Sequence, residues 1–121
     1  MPDTFPHYQP PEGALPPGEV RFSELHIEPW PDGRRIRVHI TINSFQVPPN
    51  LLVIVINALG IEVANVSIIE FIEEKMTFTL HLRSNEKISG KYLLIANINY
   101  QDFGVVDEYK LEFETSEMPP E

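Results

Sequence analysis

Apolar and polar residues alternate along most of the chain between residues 20 and 115. Two runs show the alternation most clearly, with the apolar members Ile36, Val38, Ile40 and Ile42 in the first and Met76, Phe78, Leu80 and Leu82 in the second. A period of two residues places successive side chains on opposite faces of an extended chain. The pattern therefore predicts half-buried β-strands that are bounded by turn residues.

The dipeptide Asp32-Gly33 separates the first two predicted strands. It is a hairpin signal, because glycine accepts the positive φ that a tight turn requires. A two-residue turn at this position sets Ile27 opposite Val38 on the inner face. The same register pairs polar residues with polar residues on the outer face, so both faces support it.

Residues 51–56 are apolar at every position, which predicts a strand that is buried on both faces. Residues 61–72 have a mixed pattern, because Ser67 and Glu70 also fit a helix capping box. We predict an edge strand here that ends in one helical turn, with a short helix over residues 67–75 as the alternative.

Seven predicted strands without crossover helices describe an all-β fold, a two-sheet antiparallel Greek-key sandwich. The last two strands, at residues 92–100 and 105–114, form the final hairpin. The stretch Gly90-Lys91-Tyr92-Leu93-Leu94-Ile95-Ala96 resembles the sixth strand of immunoglobulin-like and fibronectin type III-like domains, with Tyr92 at the position of a tyrosine corner. The resemblance covers about residues 20–115 and implies adhesion, spacing or binding as the role.

Proline density divides the chain into three parts. Six of the twelve prolines fall within the first 18 residues, where they disfavour regular helix and strand pairing. We predict a flexible proline-rich arm at residues 1–18, one sandwich domain at residues 19–115 and a frayed end at residues 116–121.

The chain of 121 residues carries 18 acidic and 9 basic side chains, a formal net charge of −9. This charge repels phosphate backbones and argues against nucleic acid as a partner. No run is long and apolar enough for a membrane span, so we expect a soluble chain without membrane insertion. The absence of cysteine suits the cytoplasm, and a secreted origin after removal of a signal peptide is the alternative.

Chemistry-bearing motifs are absent from the sequence. It contains no catalytic signature, nucleotide-binding loop or cofactor motif, and we therefore expect a non-enzymatic protein without a cofactor. Three histidines, His26, His39 and His81, fall on one outer sheet face under the predicted register, and three imidazoles can bind a transition metal. Neighbouring arginines oppose a cation, so the alternative is a solvated face of mixed charge.

An apolar surplus in two strands is the stronger functional signal. The outward residues are Leu52, Ile54 and Ile56 in the third strand and Leu93 and Ile95 in the sixth, with Val106 as an extension on the last strand. In an immunoglobulin-like topology these two strands are neighbours, so their outward residues merge into one apolar patch. Such patches usually mark an interface with a partner protein or a second copy. The alternative is internal cover by the proline-rich arm or by residues 67–75.

The sequence therefore predicts a non-catalytic protein-binding or assembly module that uses this patch. Two other functions stay open. One is a metal- or ligand-binding accessory domain of an enzyme or surface protein, built on the histidine face. The other is a carbohydrate-binding sandwich, for which the candidate aromatic platforms are Trp30, Tyr100 and Phe103.

Overall fold

The computed structural model describes residues 8–83 and 90–115 of the chain. The first seven residues of the predicted arm and the predicted frayed end at residues 116–121 lie outside the described residues. Within the described ranges, no helix is long and apolar enough to cross a membrane.

Seven β-strands account for most of the described residues. They are β1 (Phe22–Pro29), β2 (Arg35–Ile42), β3 (Asn50–Asn57), β4 (Glu62–Ile68), β5 (Lys75–His81), β6 (Gly90–Tyr100) and β7 (Gly104–Thr115). The strands form two antiparallel sheets, in the orders β1-β2-β5 and β4-β3-β6-β7. The prediction of an all-β chain with seven strands in a two-sheet antiparallel sandwich is confirmed.

The β1–β2 hairpin has the predicted register, since Ile27 lies opposite Val38 and Leu25 lies opposite Ile40. Its turn is wider than the predicted two residues, because the backbone N–H of Trp30 donates to the carbonyl of Arg35 across residues 31–34. Pro31 has no N–H, so a closer pair at positions 31 and 34 cannot form the usual hydrogen bond.

The inner faces of the two sheets meet in one core. Its largest fully buried side chains include Phe45, Ile36, Ile40, Leu51, Leu94 and Ile98. The inward and outward side chains of β3 differ in burial, since Leu51 is fully buried whereas its neighbour Leu52 is half-buried. The prediction that β3 is buried on both faces is therefore wrong. An apolar run alone does not show whether a second layer covers the outward row.

Strand β4 is an edge strand, as the sequence predicts, but no helical turn follows it. Glu70 has a positive φ of 51°, which takes the chain out of helical geometry. The next residue, Phe71, donates its N–H to the carbonyl of Pro49 and packs edge-on against Phe45. Burial of Phe71 against the core thus replaces the helical alternative for residues 67–75.

The described part of the arm contacts the loop between β2 and β3. Leu15 forms a short parallel bridge with Phe45, and the ring of Tyr8 stacks on the Phe45 ring at 5.3 Å between centroids. The Tyr8 hydroxyl also donates to the Phe45 carbonyl at 2.7 Å. These contacts leave Phe45 without exposed surface.

Candidate protein-binding face

The outer face of the four-stranded sheet carries five aliphatic side chains side by side on its two central strands. We call these residues the apolar strip: Leu52, Ile54, Ile56, Leu93 and Ile95. The β3–β6 register pairs Ile54 with Ile95 and Ile56 with Leu93, so the strip is continuous across the two strands. All five side chains are half-buried, and each keeps part of its surface open to solvent. The structure therefore brings these five predicted residues together.

Val106, the sixth predicted member, does not join the strip. The register of the β6–β7 pair shifts beside it, between Ile98 and Asn99, and Val106 packs against the buried core. The β7 residues opposite Ile95 and Leu93 are Lys110 and Glu112. A β-bulge reverses the alternation of inward and outward side chains, which is why the simple period misplaced Val106.

Charged and polar residues border the apolar strip on both edge strands. On β4, Glu62 lies opposite Ile56 and Asn65 lies opposite Ile54. On β7, Lys110 stands between Glu108 and Glu112 in the outward row. The apolar centre with a charged rim is the usual anatomy of a protein–protein contact surface.

Three asparagines adjoin the Leu52 end of the apolar strip, since Asn97 pairs with Leu52 and Asn99 pairs with Asn50, and none of them was predicted as a site residue. The side-chain amide of Asn99 donates to Asn97 at 2.8 Å, and that of Asn50 donates to Asn99 at 3.3 Å. The backbone N–H of Glu70 in turn donates to the side-chain oxygen of Asn50. Asn97 and Asn99 are two residues apart on β6, and this spacing places both side chains on one face of the strand. That spacing is the signal by which the sequence could have indicated them. The amides give one end of the apolar strip a fixed polar boundary.

Neither segment proposed as internal cover is seen over the apolar strip within the described residues. The described part of the arm hydrogen-bonds to the loop 43–49, and its end at residues 17–19 also contacts β7. Residues 69–74 contact the same end of the sandwich, where Phe71 meets Phe45. Ile69 and Ile72 point to solvent with 64% and 57% of their surface exposed, so they do not shelter the strip.

Two of the three predicted metal-binding histidines are neighbours. The rings of His26 and His39 stack at 5.6 Å, as the predicted register requires. His81 instead lies opposite Arg35, four residues along β2 from His39, which is about 13 Å at the rise of a strand. Within residues 8–83 and 90–115, no group of three or more potential ligands is placed to hold a metal ion. The structure therefore brings His26 and His39 together and places His81 apart from them.

His39 is engaged in hydrogen bonds to its neighbours. Its Nε2 atom contacts Glu28, and its Nδ1 atom lies 3.0 Å from the hydroxyl of Thr77. The hydrogen bond from His39 lowers the pKa of the Glu28 carboxyl below its usual value. A shallow groove of about 350 Å³ runs over this cluster between Glu24 and Lys75. These contacts fit the alternative of a solvated polar face.

The three aromatic residues considered as sugar platforms do not form one surface. The guanidinium of Arg35 covers the ring of Trp30 at 3.9 Å. Tyr100 is buried, and its hydroxyl donates to the carbonyl of Val47 at 2.8 Å. Phe103 is 61% exposed and packs edge-on against Tyr100. Trp30 follows β1 whereas Tyr100 ends β6, so the structure provides no shared aromatic platform from these residues.

No protein-family model and no curated protein matches the chain. Among solved structures, the β-glucuronidase from Ruminococcus gnavus in complex with D-glucaro-d-lactam is similar, at 16% identity and a TM-score of 0.55 over 80% of this chain and 16% of that chain. The β-glucuronidase from Bifidobacterium dentium matches at 13% identity and a TM-score of 0.60, over 79% and 18% of the two chains. A glycosyl hydrolase family 2 member from Bacteroides cellulosilyticus matches at 16% identity and a TM-score of 0.58, over 79% and 14%.

The chain thus spans 14–18% of the length of these three structures. At 13–16% identity the likeness concerns the fold alone. What the comparison establishes is that the chain is an all-β sandwich similar in fold to a small part of these glycoside hydrolases.

Proposed function

We propose that this protein is a non-catalytic binding or assembly module of the immunoglobulin-like or fibronectin type III-like kind. The adjacency of the third and sixth strands in one sheet supports this assignment of topology. The apolar strip carries the functional proposal, because it places five partly exposed aliphatic side chains next to one another on an outer sheet face. Exposed apolar rows with a polar rim act as protein contact surfaces.

The similar structures suggest a setting for this role. A sandwich that corresponds to about a sixth of a glycoside hydrolase chain would serve as an accessory domain beside a catalytic domain. In that setting the apolar strip would dock against the neighbouring domain or subunit. The metal-binding and sugar-binding alternatives receive less support, because their candidate residues are separated or engaged in other contacts.

A photocross-linking residue tests the proposal at the strip itself. p-Benzoylphenylalanine replaces Ile95 at the centre of the apolar strip in one variant and Thr79 in a matched control. Thr79 is an exposed strand residue on the outer face of the other sheet. In cells of the source organism, the Ile95 variant should form a defined protein adduct that mass spectrometry identifies. Equal adduct yields at Ile95 and Thr79 would refute the proposed function.

A further inference from the structure

We propose that the occupant of the apolar strip is a second copy of this chain, packed face to face about a two-fold axis parallel to β3 and β6. This inference rests on the proposed function and names its partner. It places Ile54 of each copy against Ile95 of the other and Ile56 against Leu93 of the other. The argument comes from the shape of the strip, the distribution of charge around it and the size of the face.

The strip suits a two-fold arrangement because its two rows are matched. Ile54 and Ile95 form a directly opposed pair at its centre, and Ile56 and Leu93 form the next pair. An axis that runs between β3 and β6 exchanges these rows, so every aliphatic side chain of the two pairs meets another aliphatic side chain. Isologous contacts of this kind need a patch that is complementary to itself.

Charge around the apolar strip is nearly balanced, although the whole chain has a net charge of −9. The rim of this face carries the carboxylates of Glu62, Glu108, Glu112 and Glu114 and the cations Arg83, Lys91 and Lys110. Arg83 reaches Glu62 at 3.8 Å, and Lys110 reaches Glu108 at the same distance. A second copy therefore meets little like-charge repulsion on this face.

The rim also bears on the direction of the axis. An axis perpendicular to the strands that passes through the Ile54–Ile95 pair would place Lys110 of one copy on Lys110 of the other. An axis parallel to the strands instead brings β7 over β4 of the second copy, so Lys110 faces Asn65 and Glu112 faces the Arg83–Glu62 pair. The parallel arrangement therefore keeps Lys110 away from its own copy, and Arg83 offsets the charge of Glu62 where Glu112 of the other copy approaches it.

The size of the face predicts a weak dimer. Four strands about 4.8 Å apart and some 20 Å of strand length give a contact of roughly 400 Å² per copy. Stable interfaces bury about 800 Å² per partner. We therefore expect a dissociation constant of about 0.1–1 mM and rapid exchange.

Because the chain contains no cysteine, a single introduced cysteine is the only thiol that a cross-linker can reach. Ile54→Cys and Ile95→Cys are prepared as separate proteins and mixed at about 0.5 mM, near the expected dissociation constant, with a short thiol-to-thiol cross-linker. Thr79→Cys on the other sheet is the matched control. Circular dichroism checks that each variant folds, and Ile56→Cys with Leu93→Cys is the second pair if either first variant does not.

The parallel axis predicts that the mixed 54–95 dimer forms at least several-fold faster than either like-with-like dimer and than any dimer of Thr79→Cys. Faster 54–54 and 95–95 dimers would overturn the proposed arrangement. Cross-linking no faster than that of Thr79→Cys would overturn the second copy as occupant. If the photocross-linked adduct at Ile95 were then another protein, the proposed function would stand and only this inference would fail.

Discussion

Leu93 and Leu94 are adjacent residues of the same type with opposite surroundings. Leu94 faces the core and is fully buried, whereas Leu93 belongs to the half-buried apolar strip. We expect Leu94→Ala to lower the free energy of unfolding by about 3–4 kcal/mol, through lost burial and a residual cavity. Leu93→Ala should lower it less, by about 1–2 kcal/mol, because the Leu93 side chain is only partly buried and its removal opens to solvent rather than leaving an enclosed cavity. Urea denaturation at a concentration where the chain is monomeric measures both values.

Equal losses for the two leucine variants would contradict the structure. That result would mean that the side chain of Leu93 is buried as deeply as that of Leu94 in the folded monomer. The comparison is well controlled, because the two variants remove the same atoms from neighbouring positions of one strand.

The hydroxyl of Tyr100 contributes to the stability of the fold, and this contribution depends on pH. This hydroxyl donates to the Val47 carbonyl, and burial, followed by the nearby Tyr8, raises the pKa of Tyr100 from 10.0 to about 12. Tyr100→Phe should lower the free energy of unfolding at neutral pH by about 1–2 kcal/mol, because the partly buried Val47 carbonyl loses its donor. Denaturant titration at pH 7 measures this loss.

The raised pKa of Tyr100 also sets a pH dependence. The folded state holds the phenol proton more tightly than the unfolded state, so this contribution is complete below pH 10 and is lost as the pH rises from 10.0 towards about 12. The fall in stability over this range should be smaller in Tyr100→Phe than in the unchanged protein. Parallel curves for the two proteins would show that Tyr100 does not titrate as described.

At the scale of elements, the β3–β4 turn is stabilised by the side chain of Asn57 and requires the positive φ of Gly60. The side-chain oxygen of Asn57 accepts hydrogen bonds from the N–H groups of Leu59 and Ile61, at 2.9 and 3.0 Å. Gly60 has a φ of +80° with open space around it, so an added Cβ strains the backbone without a steric clash. Gly60→Ala should therefore lower the free energy of unfolding by about 1–2 kcal/mol.

Gly18 provides the control for the turn, because it also has open space around it but no positive φ. Gly18→Ala should change thermal stability little, and a loss as large as that of Gly60→Ala would show that the backbone conformation is not the cause. Melting temperatures of the two variants provide the comparison.

The proline-rich arm is expected to stabilise the domain through Phe45. A chain that begins at Val20 loses the Leu15 bridge and the Tyr8 stack, which exposes the otherwise buried Phe45. We expect a loss of about 2–4 kcal/mol in the free energy of unfolding, from exposed apolar surface and lost backbone hydrogen bonds. Gln9→Ala, at an exposed arm position, is the control and should have no effect. Unchanged stability after truncation would contradict the packing of the arm.

Strand periodicity predicted the elements and the β1–β2 register, because alternating side chains fix both the strand and the face. The same periodicity marked Leu52, Ile54, Ile56, Leu93 and Ile95 as outward residues. Their placement on neighbouring strands came from the resemblance to immunoglobulin-like topology and agrees with the β3–β6 pairing. Periodicity misplaced Val106, since a bulge reverses the alternation, and it could not separate His81 from the other histidines, since strand neighbours do not fix position along the strand. The Asn50–Asn99 contact depends on pairing between distant strands and was not visible locally.

At the scale of the whole molecule, the two outer faces of the sandwich differ in character. The face of β1-β2-β5 is polar, with Arg35, Arg37 and the His26–His39 pair, whereas the face of β4-β3-β6-β7 has an aliphatic centre. The proposed burial of one outer face against a partner would account for this asymmetry. The chain would then act through a contact surface, and the polar face would stay in water.

Molar mass by light scattering, measured over a range of protein concentrations, tests this account most directly. The unchanged protein and the charge-matched control Thr79→Lys should rise above the monomer mass of 13.9 kDa as the concentration approaches about 1 mM. Ile54→Lys should stay at the monomer mass while it keeps the same circular dichroism spectrum, because a lysine in the centre of the apolar strip must lose its hydration on association. A constant monomer mass for the unchanged protein, or a rise that Ile54→Lys shares, would contradict self-association through the apolar strip.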